Sequence, residues 1–65
     1  MHGTVEAFDE AAGLGTVRGT DGAAYPFHCT QIVGGTRTIP EGVAVIFQVV
    51  PGHQGRWEAD RVERC

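Results

Sequence analysis

Val43-Ala44-Val45-Ile46-Phe47-Gln48-Val49-Val50 repeats with a period of two. Val43, Val45, Phe47 and Val49 point one way, and Ala44, Ile46, Gln48 and Val50 the other. The first set reads as a core face. Ile46 and Val50 predict that the opposite face is partly covered too. No window of the chain sets apolar residues at helical spacing for three turns, so the chain reads as all-β.

The turns on either side of this strand cut the chain into similar pieces. Pro51-Gly52 makes a turn, and residues 56–63 read as a fifth strand after it. Upstream, residues 33–42 form a long loop containing Gly and Thr, and Thr30-Gln31-Ile32 predicts one helical turn. Residues 24–28 make a third strand. Pro26 has no N–H to give to a ladder, so this strand lies at an edge or a bulge, and its neighbours Tyr25 and Phe27 turn inward. Gly19-Thr20-Asp21-Gly22 carries an Asp-Gly hairpin signal and ends a second strand, residues 14–19. Residues 3–9 make the first strand, joined to the second through Asp9-Glu10-Ala11-Ala12-Gly13. Five short strands with frequent turns read as a small barrel or sandwich, and closure is the usual way for so small a sheet to remove its edges. The expected core holds Val5, Val17, Val45, Phe47 and Val49.

Sixty-five residues make one domain, residues 1–65. Such a chain buries only about 60% of its unfolded surface, which leaves no room for a two-lobed enzyme cleft. Eight acids stand against five arginines and no lysine, a net charge of −3 that repels phosphate at long range. No basic-then-apolar leader is visible and no apolar run reaches the roughly 18 residues of a membrane span, so a cytoplasmic protein with no membrane contact is expected. Cys29 and Cys65 are too few for a disulfide scaffold and read as free thiols.

Catalytic and metal patterns are weak. His28-Cys29 with His53 fits no zinc spacing, so no metal or other cofactor is expected. Neighbouring strand residues face opposite ways, so His28 is poorly placed to activate Cys29. Gly13-Leu14-Gly15 and Gly34-Gly35 precede no helix and are followed by no lysine, which excludes a P-loop. Asp9, Glu10, Glu41, Glu58 and Asp60 read as a solvated surface. The chain is not expected to be an enzyme.

Several of these residues also stand in a familiar order. Gly3-x-Val5-x-x-Phe8-Asp9, Gly13-x-Gly15, His28, Ile32 and Thr38-x-x-Glu41-Gly42-x-x-Val45-x-Phe47-x-Val49 together resemble the bacterial cold-shock domain. The likeness runs from about residue 2 to residue 62. It implies a five-stranded antiparallel OB-fold barrel that binds single-stranded RNA or DNA. Such domains stack bases on outward aromatic rings, at roughly 1–3 kcal/mol per base. Here the matching positions hold Ala7, Leu14, Thr16, Pro26 and Cys29, and the family's lysine positions hold Thr4, Glu6 and Ala12. Phe8 and His28 keep flat rings.

Two functions are therefore expected in competition. One is weak or altered binding of single-stranded nucleic acid through Phe8, Arg18, His28, Arg56 and Trp57. The other is docking of a protein partner, or a second copy in a homodimer, on the face of Ala7, Leu14, Thr16, Pro26 and Cys29. Trp57 either plugs the end of the core or joins Arg56 and His53 in an exposed contact point.

Overall fold

The computed structural model describes residues 1–52 and 55–65. Its strands are β1 (His2–Asp9), β2 (Leu14–Gly19), β3 (Ala24–His28), β4 (Ala44–Pro51) and β5 (Trp57–Arg64). A 3-10 turn, Cys29–Gln31, follows β3 and starts one residue earlier than the sequence suggests. The strands form one antiparallel sheet in the order β3-β2-β1-β4-β5. β1 pairs with β2 from Gly3 to Asp9 and with β4 from His2 to Thr4, so it holds the two halves together. β5 packs beside β3, but among the described residues no ladder joins them. One parallel bridge, Ile32 to Val62, spans that side, where the Val33 N–H donates to the Val62 carbonyl at 2.8 Å.

Local chemistry sets the turns. The Asp9 carboxylate accepts the N–H groups of Ala11 and Ala12 at 3.0 and 3.2 Å, and the Gly13 N–H closes onto the Asp9 carbonyl. Between β2 and β3, the Asp21 carboxylate accepts the Ala23 N–H and the Tyr25 hydroxyl. An Asx-type contact of this kind fixes a tight turn without help from the core.

Alternation builds the interior in cross-strand rows. Val5, Val17 and Tyr25 form one inward row, and Phe8, Gly15 and Phe27 the next. Val45, Phe47, Ala59 and Val62 close the core from the other half, and Ile32 and Ile39 complete it. Gly15 is there because the space is taken: a Cβ would lie 2.5 Å from Phe27 Cζ and 2.8 Å from Phe8 Cδ1. Pro26 sits on the edge strand, facing out, while Tyr25 and Phe27 face in.

Two bulges adjust the pattern. The β1–β2 register shifts between Val5 and Ala7, which leaves Glu6 as an extra outward residue. In β5, the partners of Ile46 and Gln48 are Glu63 and Asp60, so Arg61 and Val62 together oppose Phe47. Arg61 absorbs the extra residue at φ 49°, and Val62 turns into the core where strict alternation from Ala59 would put Arg61. Val49 is only half-buried, because β4 has left the β1 ladder by that point. Ile46 is 40% exposed: the single sheet has no second layer to lay over it. Val43 precedes β4 but packs on the core.

Candidate recognition groove

The outer face of β1, β2 and β3 is the counterpart of its inner rows. Ala7, Thr16 and Pro26 form one outward row, and Asp9, Leu14 and His28 another. Leu14 is 54% exposed. These rows, with Phe8 between them, line a groove of about 720 Å³. Phe8 is half-buried and stacks on Phe27, with centroids 6.0 Å apart and planes 19° apart. Its ring is committed to the core on one side and reaches the groove on the other.

His28 ends β3 and caps the 3-10 turn. Its Nδ1 accepts the Thr30 N–H at 3.2 Å and lies 3.0 Å from Thr30 Oγ1. The Gln31 side chain returns the bond, accepting the His28 N–H at 2.6 Å. A ring nitrogen that accepts a backbone N–H carries no proton, so in neutral His28 the proton sits on Nε2. The Cys29 Sγ lies 3.8 Å from Nδ1, closer than strand alternation allows, because the strand stops at His28. Nδ1 is already occupied by the cap, so the contact does not make a base-nucleophile pair. Cys29 and Cys65 are both free thiols.

The cations are placed elsewhere. Arg18 is on the same sheet face, beside Thr4 and Ala24, but its guanidinium is taken up. Nε and Nη2 donate to the two Glu6 carboxylate oxygens at 2.7 and 3.1 Å, and Nη1 donates to the Gly22 carbonyl at 2.9 Å. The hydrogen bonds and charge of Arg18 hold the Glu6 carboxyl below its ordinary range, and Glu6 raises Arg18 in return. This pair is the one ion pair among the described residues. Arg37 lines an adjoining groove of about 400 Å³ that shares His28 and Thr30 with the main one. Arg56 is exposed and lies outside the main groove.

Trp57 is 57% exposed and opposes Pro51 at the start of β5. It does not plug the core. The β4–β5 hairpin runs past the end of the β1–β4 ladder, so position 57 has no facing layer. The suggested partner His53 lies outside the described residues. So does part of the His28-Cys29-His53 group, which the sequence spacing already argued against as a ligand set, and among the described residues no group of three or more His, Cys, Asp or Glu is placed to hold a metal ion.

Of the five residues singled out from the sequence, the structure brings Phe8 and His28 into one groove and leaves Arg18, Arg56 and Trp57 outside it. It also brings in two residues that had read only as solvated acids. Glu41 and Glu58 line the groove with Asp9, and no arginine does. Seventeen positions separate Glu41 from Glu58, and no local signal joins them.

A scan against protein-family models finds no match for this chain, and a search of curated proteins finds none with significant similarity. Among the described residues no helix is long and apolar enough to cross a membrane.

Proposed function

We propose that this chain is a cold-shock-domain-like OB barrel that works by binding rather than catalysis, in the cytoplasm, through the outer face of β1, β2 and β3. The antiparallel strand order, β5 packed beside β3 and the Ile32–Val62 bridge support the barrel reading. The observation that carries the function is the groove itself, floored by Phe8 and edged by His28, on the face where that family stacks bases. Single-stranded RNA or DNA binds there weakly. Two rings remain, the acids oppose phosphate, and Arg18 on the same face is paired with Glu6.

The test is a titration with heptathymidylate at low and physiological salt. The unmodified chain is expected to bind weakly and to lose that binding as salt rises. Leu14→Phe with Thr16→Phe should tighten binding by roughly tenfold or more, since each base stacked is worth about 1–3 kcal/mol. Glu6→Gln, which frees Arg18, should tighten it further. Nanomolar binding by the unmodified chain at physiological salt would overturn the weak-binding reading. A second reading, docking of a protein, is favoured by one observation: the groove walls carry carboxylates and no arginine.

A further inference from the structure

The groove does not end at Phe8. A second depression of about 350 Å³ adjoins it, lined by Phe8, Glu10, Thr38, Ile39, Pro40 and Glu41. Phe8 and Glu41 belong to both. These two depressions hold four carboxylates, Asp9, Glu10, Glu41 and Glu58, and no arginine, while Arg37 lines a third depression that meets the groove at His28 and Thr30. Asp9 is engaged in its own turn, whereas among the described residues Glu10, Glu41 and Glu58 have no ion-pair partner. The same groove also presents apolar side chains, Leu14, Pro26 and Phe8.

We propose that this double groove binds an extended segment of a partner protein in which arginine or lysine side chains alternate with apolar ones. The apolar side chains would cover Leu14, Pro26 and Phe8, and the cations would meet Glu41 and Glu58. Charge decides among the occupants. A nucleic-acid strand would bring phosphates against four carboxylates. A second copy docked by the same face across a twofold axis would oppose the same four acids to themselves, a like-charge contact that disfavours a homodimer here. A cationic segment with apolar side chains meets both opposite charge and dry surface in the same groove, the combination that gives an interface its register.

The proposal rests on the outer face of β1, β2 and β3 being the recognition surface, and the experiment separates the two. The backbone amides of the isotope-labelled full chain are followed by NMR. Three probes are added in turn: a nonapeptide alternating arginine and leucine, its glutamate-leucine counterpart, and heptathymidylate. The arginine peptide is expected to shift the amides of Ala7, Leu14, Thr16 and His28, and the glutamate peptide to leave them still. Glu41→Gln with Glu58→Gln should weaken the arginine peptide by roughly tenfold, from two ion pairs each worth up to about 1 kcal/mol. Glu41 is exposed and Glu58 half-buried, and glutamine keeps the size and shape of each side chain, so the variant is expected to keep its fold and a dispersed spectrum. Unchanged affinity in that variant would overturn the proposal, because attraction would then come from net charge alone. Shifts of these amides by heptathymidylate and not by the arginine peptide would overturn the proposal but leave the face as the recognition surface. If no probe moves these amides, both readings fall.

Discussion

Gly15→Ala tests how the inner and outer faces are joined. The added Cβ would stand 2.5 and 2.7 Å from Cζ and Cε1 of Phe27 and 2.8 Å from Cδ1 of Phe8. Phe27 is 2% exposed and has nowhere to swing. Both rings must retreat by roughly one ångström to reach ordinary contact, and overpacking of this kind costs about 1–3 kcal/mol. The retreat also spoils the Phe8–Phe27 stack, worth about 0.5–1.5 kcal/mol. The total, about 1.5–4.5 kcal/mol, is a large share of the roughly 3–10 kcal/mol that a domain of this size holds. Tm should fall by about 6–36 °C, at about 4–8 °C per kcal/mol for a small domain. Thermal and urea unfolding followed by circular dichroism measures both quantities. Phe27→Leu removes the offending ring atoms, so the double variant should be more stable than the two single costs predict, with a coupling of about 1 kcal/mol or more. A Gly15→Ala protein that melts within about 3 °C of the parent would refute the reasoning, because a glycine with room for a methyl group would lose little on gaining one.

Two further predictions concern the Asp21–Tyr25 contact and Trp57. The Tyr25 hydroxyl, and then the Ala23 N–H, hold the Asp21 carboxyl below its ordinary range, while accepting from Tyr25 raises the phenol. The depressed Asp21 adds stability that is complete above the ordinary carboxylate range and is lost as pH falls through the lowered value; the raised Tyr25 adds stability that is complete below pH 10 and is lost above it. Tyr25→Phe should flatten the stability profile at both ends, and a profile from pH 2 to 11 with unchanged acid and alkaline limbs would refute the contact. Trp57, at 57% exposure, should emit like tryptophan in water and be quenched readily by iodide, and a blue-shifted, protected emission would mean that it packs on the core after all.

The sequence by itself determined the strands and their inward faces. Alternation around Val45 and Phe47, the turn chemistry of Asp9 and Asp21, and the missing donor of Pro26 are local facts. Local steric and hydrogen-bonding rules act on them whatever the rest of the chain does. Phe8 and His28 were candidates only through the likeness to the cold-shock domain, since the rings of Tyr25, Phe27 and Phe47 are as visible in the sequence and are buried in the core. Tertiary structure decided the rest, because it depends on which distant residues share a space. Arg61, and not Val62, takes the extra position in β5 because Phe47 faces the bulge. Ile39, buried within a Gly- and Thr-containing loop, had no periodicity to reveal it. Arg18 is removed as a free cation by Glu6, twelve positions away, because β1–β2 pairing sets both side chains on the same outward face. Trp57 is exposed because a hairpin outruns its neighbour. Glu41 and Glu58, two unremarkable acids in the chain, become the walls of one groove only when the loop before β4 and the start of β5 are folded against the outer sheet.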